Sequence, residues 1–394
     1  MEKQVSSLNT KLLYITGWKT PNIHWAILEK EESKWQTSMM AKIEKKKYCH
    51  LIEFPNEIFE KKKSLIFVFS DQEKKQWDNP DLNQNKENIF KKSIDSPANY
   101  LLSKPIHSII YQGKIIPLSN LGEETKEASK FKKEKFMIVT DLDGTLVGDK
   151  SALDEFNKFW LSHCYLDSRK LLIYSTGRSL NSFVENLKPK ENLLWPDYLI
   201  CGCGASIYSY DYLLRIYVSD KEWEEAIKKN WNHELAANEF DSLPWLKRNT
   251  MDNKSPYVIN YVAKFEDFEA RKQELKNSQE KLSKINIFVS FHVSGTSSHR
   301  LIDITTSTAG KGNSLRYIAS KTGFDIQDTY GFGDSLNDVE LLEACGQSFI
   351  VSNSHSDLLD WHDKSSLSLK SKITKSSQNH AFALLEVLKN LISS

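Results

Sequence analysis

The chain has 394 residues, 40% of them hydrophobic, more than one ordinary core accommodates, so two or three domains are expected. Its 53 basic and 52 acidic residues leave a net charge of +1; no global field draws it to nucleic acid or to an anionic membrane, and recognition has to be local. Cys49, Cys164, Cys201, Cys203 and Cys345 are odd in number and lack the spacing of a zinc site, which points to free thiols in a reducing compartment.

The first seven residues hold no signal-peptide apolar region, and no segment reaches the ~20 consecutive apolar residues of a membrane span. A cytoplasmic protein is expected, or a plastid one if a transit peptide has been removed. Short alternating runs at 12–15, 23–28, 49–54 and 65–69, separated by turns such as Lys45-Lys46-Lys47 and Lys61-Lys62-Lys63, predict a β domain over residues 1–118. Residues 119–133 are polar and charged, the composition of a linker.

From residue 134 the pattern becomes strand, helix, strand, helix. Phe136-Met137-Ile138-Val139 reads as a buried strand and runs into Asp141-Leu142-Asp143-Gly144-Thr145. Leu153, Phe156 and Trp160 recur at helical spacing after Ser151, a suitable N-cap. The next strand, 171–174, leads into Thr176-Gly177-Arg178-Ser179, and the order is that of βαβ units on a parallel sheet. Cys201 and Cys203 flank Gly202 in what reads as a tight turn of small residues. More than a hundred residues separate Thr176 from Lys311, too many for one crossover. An inserted α+β unit is therefore expected over 206–297, between a first core segment, 134–205, and a second, 298–394. Its helices are predicted at 221–239 and 266–281, its strands at 257–265 and 285–293. The second core segment carries Ala309-Gly310-Lys311-Gly312, then Gly333-Asp334-Ser335-Leu336-Asn337-Asp338 after the run 329–332, and a closing helix over 381–392.

Two carboxylates at the carboxyl end of a buried strand occupy the place where open parallel sheets hold ligands. Asp141 and Asp143 can share phosphoryl transfer, one attacking phosphorus and the other moving a proton, provided a cation offsets their repulsion. Such a pair also requires a metal ligand and a phosphate clamp, and the clusters around Thr176, Lys311 and Asp334 supply those residue types in order.

The ordered set resembles the haloacid dehalogenase superfamily of aspartate-nucleophile phosphatases from about residue 134 to the end of the chain. Residues 136–149 and 174–179 look like its sucrose-phosphatase branch, and Leu301-Ile302-Asp303-Ile304 looks like that branch's return from cap to core. The resemblance implies a Rossmann-like α/β core with an α+β cap that selects the substrate, and hydrolysis of a sugar phosphate. It further implies Asp141 as nucleophile and Asp143 as proton carrier, with Mg²⁺ held by Asp141, Asp334 and the Asp143 main-chain carbonyl. Thr176 and Lys311 would bind the phosphoryl oxygens, Asn337 and Asp338 would hold metal waters or Lys311, and Arg178 and Ser179 would contact substrate, Arg178 having a structural ion pair as its other reading. Where the branch carries a Gly-x-Glu step this chain has Gly204-Ala205-Ser206, so one sugar contact is altered. A phosphomutase with the same aspartates, and a non-catalytic glucan-binding adaptor, are the alternatives.

In the first domain Asn22-Ile23-His24-Trp25, Lys34-Trp35-Gln36-Thr37, Phe67-Val68-Phe69-Ser70-Asp71 and Trp77-Asp78-Asn79 are similar to starch-binding carbohydrate-binding modules of families 25 and 53. That resemblance implies a β-sandwich whose His24, Trp35, Trp77 and Asn79 bind starch or another α-glucan, indole faces stacking on glucose rings. Gln72 and Pro80 stand where such modules have Gly and Asn.

Overall fold

The structure is a computed structural model. It describes residues 134–391 except 166, 168, 212–215, 250–254 and 296–297; before these it describes 9–15, 21–28, 36–42, 49–56, 58–59, 64–70, 73–74, 77–78, 100–102, 108–111 and 114–117. Two compact units emerge: residues 1–130 with 158–168 and 211–216, and residues 131–157 with 169–210 and 217–394.

The first unit contains strands β1 (Asn9–Ile15), β2 (Asn22–Leu28), β3 (Gln36–Met39), β4 (Ala41–Lys42), β5 (Cys49–Pro55), β6 (Ser64–Ser70), β7 (Trp77–Asp78), β8 (Tyr100–Leu102), β9 (Ser108–Tyr111) and β10 (Lys114–Pro117). They form two five-stranded sheets, one ordered β10-β9-β1-β5-β4, the other β3-β2-β6-β7 with β8 also on β6. Pairing is antiparallel apart from β1 with β9. Period-2 alternation turns Leu12 and Tyr14 of one sheet and Leu65, Phe67 and Phe69 of the other into a shared core, where the Tyr14 ring stacks on Phe69 with centroids 3.7 Å apart.

The second unit is built on an eight-stranded sheet. Its strands are β11 (Phe136–Thr140), β12 (Lys170–Ser175), β13 (Tyr198–Cys201), β14 (Ser206–Asp211), β15 (Ile216–Ser219), then, later in the chain, β20 (Thr329–Gly333), β21 (Gln347–Ile350) and β22 (Ile373–Lys375), in the order β15-β14-β13-β12-β11-β20-β21-β22. β13 to β22 are parallel along that order, and β14 is antiparallel to β13. All five residues of β11 are buried, because a central parallel strand has no solvent face; the unbroken apolar run follows from that. The chain winds from β11 toward β12 on one side and returns as β20 on the other, so the carboxyl end of β11 is the switch point of the sheet.

Between β15 and β20 lies a four-stranded antiparallel sheet ordered β16-β17-β19-β18, from β16 (Lys247–Arg248), β17 (Val258–Lys264), β18 (Val289–Gly295) and β19 (His299–Thr306). Its apolar face packs with Ala236, Phe240 and Leu275, which lie on helices His233–Asp241 and Phe265–Ser283. The helix predicted over 221–239 is two, Lys221–Lys228 and His233–Asp241, because the Asn232 side chain caps the second by accepting from the Leu235 amide. The strand predicted from residue 285 starts at Val289: Asn286 adopts φ 62° and Ile287 bonds back to the Leu282 carbonyl, making a helix-ending turn. β14 and β15 extend the large sheet, and β19 pairs within the small one. Among the described residues no helix is long and apolar enough to cross a membrane.

Candidate active site

Asp141 follows β11 directly, its amide donating to the Phe332 carbonyl of β20 at 3.1 Å. Asp334 and Asp338 follow β20, and ligand atoms of all three carboxylates lie within 4.8 Å of one another. Parallel strands ending at one edge bring together residues almost two hundred positions apart. Lys311, the first residue of helix Lys311–Thr322, reaches the same point. Its fully buried ammonium donates to Asp141 Oδ1 at 2.7 Å and to Asp338 Oδ1 at 2.6 Å.

The rest of the turn after β20 organises this group. Asp338 Oδ2 accepts the amides of Asp334 and Ser335 at 3.0 and 3.1 Å, so both its oxygens are engaged within the protein. Asn337 Oδ1 accepts the Ser335 hydroxyl at 2.7 Å. The Thr145 hydroxyl donates to Asp334 Oδ1 at 2.9 Å, which ties the first acidic turn to the last. Gly144 has φ 84°, and a Cβ there would stand 2.4 Å from Asp334 Oδ2; only glycine allows the turn to approach that carboxylate.

Three buried carboxylates face one ammonium, and the electrostatics follow. Burial pushes the Asp141 carboxyl well above the ordinary range, Lys311 opposing and Asp338 and Asp334 adding to the shift. Burial and the Asp338 charge push Asp334 up to about 7. Lys311 is itself raised: desolvation would lower it, but Asp141 and Asp338 outweigh that cost. This excess of negative charge on hard oxygen donors suits a divalent cation of the Mg²⁺ type. Because Asp338 is spent on Lys311 and two amides, Asp141 and Asp334 are the side chains fitted to hold it.

Asp143 stands apart from the buried cluster. Its carboxylate is half exposed and accepts both ends of Arg178, Nε to Oδ2 at 2.6 Å and an Nη to Oδ1 at 2.7 Å. Of the two readings of Arg178, the structure displays the ion pair; a further bond from Arg178 to the Ser182 hydroxyl, at 3.1 Å, steadies it. Thr176 is buried, its hydroxyl accepting the Arg178 amide at 3.1 Å. Ser179 caps the next turn by accepting the Ser182 amide at 3.2 Å.

Sequence reasoning missed several neighbours. Asp303 accepts from Asn260 at 2.6 Å and from the Cys203 thiol at 3.6 Å, and a Cβ on Gly177 would lie 3.8 Å from its Oδ2, so β17 and β19 present a polar pair beside the Thr176 turn. Register gave the usable signal, since Asn260 and Asp303 are cross-strand partners. Asn353 and His380 both bond to the Gly144 carbonyl; nothing local in either sequence marks them.

Of the residues expected to bind glucan, Trp35 and Asn79 lie outside the described residues, and Trp77 is placed by its backbone, paired with Ser70 in β7. His24 is 8% exposed, its Nδ1 bonded to Thr37 Oγ1 and its Nε2 to Ser70 Oγ, both at 2.9 Å. A sugar contact through this ring requires it to give up one of those bonds.

Residues 134–391 match the model of the sucrose-6F-phosphate phosphohydrolase family. Probable sucrose-phosphatase 3a of Arabidopsis thaliana is 27% identical over 269 residues, 65% of this chain; the chain spans 59% of that relative's length. The mannosylfructose-phosphate phosphatase of Agrobacterium fabrum is 36% identical over 74 residues, 18% of this chain and 29% of the relative. The crystal structure of the sucrose-phosphatase from Synechocystis sp. PCC6803 in complex with sucrose and phosphate superposes with a TM-score of 0.56 at 25% identity, covering 65% of this chain and 98% of that one. On the family match and the acidic cluster at the switch point together, the chain belongs to the sucrose-6F-phosphate phosphohydrolase family of haloacid dehalogenase phosphatases, a family of phosphoric monoester hydrolases.

Proposed function

We propose that this chain is a Mg²⁺-dependent sugar-phosphate phosphatase of the sucrose-phosphatase type, working through an aspartyl phosphate. The observation that carries the reading is the convergence of Asp141, Asp334, Asp338 and Lys311 on one buried point. An Asp141 oxygen attacks phosphorus as the bond from phosphorus to the sugar oxygen breaks, and Asp143 delivers a proton to that leaving oxygen. Asp143 then takes a proton from water, whose oxygen attacks the same phosphorus and returns Asp141 as a carboxylate. Lys311 and Thr176 hold the phosphoryl oxygens and spread their charge. Arg178 aims Asp143, and Ser179 shapes the turn beside the substrate. Asp141 and Asp334, with the Asp143 main-chain carbonyl, would hold Mg²⁺, while Asp338 engages Lys311 and Asn337 braces Ser335. When bound, Mg²⁺ offsets carboxylate repulsion and polarises the phosphoryl group.

A sugar leaving group is supported by a cavity of about 600 Å³ that begins at Ser335 and His355, next to Asp334, and is walled by Phe268, Arg300, Asp357 and Trp361. Aromatic faces and paired ions of this kind suit a neutral polyhydroxy ring. The relatives that act on phosphorylated disaccharides, by their names, point the same way. The segment carrying the four-stranded sheet is the proposed cap, set into a core that spans the remainder of 134–394.

For residues 1–118 the proposal is a β-sandwich module that binds starch or another α-glucan through Trp35, Trp77 and Asn79, with His24 a participant only if its ring turns. The two sheets with one shared core support the sandwich. Phosphate release from a panel of sugar phosphates with Mg²⁺, with and without soluble starch, tests both halves. Release from sucrose 6-phosphate or a related ester supports the enzyme, and silence across the panel removes it. Dependence on a sugar bisphosphate, with transfer to sugar rather than water, replaces it by a mutase.

A further inference from the structure

We infer that Asn353 and His380 act together as positioning residues, holding the Gly144 carbonyl and thereby fixing the turn that carries Asp141 and Asp143 against Asp334. The catalytic meaning of this assignment rests on the phosphatase reading, but the contacts themselves do not.

Asn353 Nδ2 donates to the Gly144 carbonyl at 2.7 Å, and Asn353 Oδ1 accepts the His380 amide at 2.9 Å. His380 Nδ1 reaches the same carbonyl at 3.0 Å; since a carbonyl only accepts, this ring carries its proton on Nδ1. One acceptor thus receives two side-chain donors from segments more than two hundred residues downstream, and those donors are tied to each other. On its other side Gly144 donates its amide to the Val147 carbonyl at 3.1 Å. The peptide is held at both ends while its Cα faces the Asp334 carboxylate.

The surroundings are shaped for this contact. His380 has φ 44°, the left-handed region that a non-glycine residue adopts only when its neighbours impose it. Gly148 has φ 141°, and a Cβ there would come within 2.2 Å of His380 Cε1, so the glycine leaves the imidazole its seat. Neither side chain belongs to a core: Asn353 is exposed and His380 partly so. Anchoring the fold is therefore a small part of their work, and what they touch is the acidic turn. Displacing Gly144 moves the Asp143 carbonyl one residue before it and the packing on Asp334.

Four variants of the full chain test this. Asn353→Ala and His380→Ala are expected to lower kcat for p-nitrophenyl phosphate with Mg²⁺ at least tenfold, with KM within twofold and the melting temperature nearly unchanged. The double Ala variant is expected to be no worse than either single one, because both donors act on one carbonyl. His380→Asn retains a donor at the place of Nδ1 and tolerates the left-handed backbone, so it should recover most of the lost kcat. Hydrogen–deuterium exchange of the peptide spanning 141–148 should quicken severalfold in the Ala variants and return toward wild type in His380→Asn. That readout needs no turnover, so a wild-type protein that hydrolyses nothing removes the phosphatase reading while exchange still decides the contact. Unchanged exchange and kcat in the Ala variants overturn the inference, as does a loss in His380→Asn equal to that in His380→Ala, or losses that multiply in the double variant.

Discussion

Lys311 is the most exposing place to perturb this protein, because its ammonium is fully buried and is the cation that faces Asp141 and Asp338 together. At 2.7 and 2.6 Å, each contact has a gross attraction of about 6 kcal/mol at an effective dielectric constant of 20. Most of that is offset by desolvation of the ions. Replacement by the similarly sized Met leaves three carboxylates without their counter-charge, and breaking a buried pair from one side costs about 3–5 kcal/mol. Lys311→Met should therefore lower the melting temperature by roughly 10 °C and reduce kcat by about 10²–10³, the scale for losing one preorganised donor to an oxyanion. Asp141→Asn added to Lys311→Met should restore at least half of the lost stability, since it removes one uncompensated charge, and restore no activity. Circular dichroism melts and steady-state phosphate release on the wild type, Lys311→Met and the double variant supply the readout. A Lys311→Met protein that melts and turns over like wild type would refute the electrostatic argument, and so would a double variant less stable than Lys311→Met alone.

Arg178→Ala should lower kcat about tenfold while moving stability by less than ~1 kcal/mol, because the Arg178–Asp143 pair is half exposed and screened; parallel kinetics and melts check it. His292 is held down to about 4, first by burial and then by the Lys311 charge. The unfolded chain takes up a proton at this ring near pH 6.5 and the folded chain does not, so the stability of the neutral ring is complete above pH 6.5 and lost as pH falls toward 4. Urea unfolding should lose about 2 kcal/mol more between pH 7 and pH 5 in wild type than in His292→Gln, from the linkage of 1.36 kcal/mol per unit; equal losses would contradict it. Trp77→Ala should weaken retention on insoluble starch severalfold with phosphate release from a soluble ester unchanged, as read in a pull-down beside a kinetic assay.

The parallel core was legible because central strands are apolar on both faces and each ends on a polar cluster: β11 with Asp141, β12 with Thr176, β20 with Asp334. The buried convergence of Asp141 and Asp334 followed from topology, since β11 and β20 are parallel neighbours that share one carboxyl edge. What escaped was decided by single side chains. The break at Asn232 depends on one cap competing with continued helix, and the late start of β18 depends on a left-handed Asn286, neither of which alters hydrophobic period. The Arg178–Asp143 pair was open between two readings because an Arg after Gly fits both. Asn353 and His380 were invisible because their partner is a main-chain carbonyl, which has no residue identity to match.

The central claim is that Asp141 attacks phosphorus, and a chemical trap addresses it directly. Enzyme mixed with substrate and Mg²⁺, quenched during turnover and reduced with borohydride, converts an aspartyl phosphate to homoserine, which peptide mass spectrometry locates. Homoserine is expected at residue 141, with its absence in Asp141→Asn and its accumulation in Asp143→Asn where transfer outpaces hydrolysis. Steady phosphate release with no reduction at Asp141, or with reduction at another carboxylate, would contradict it.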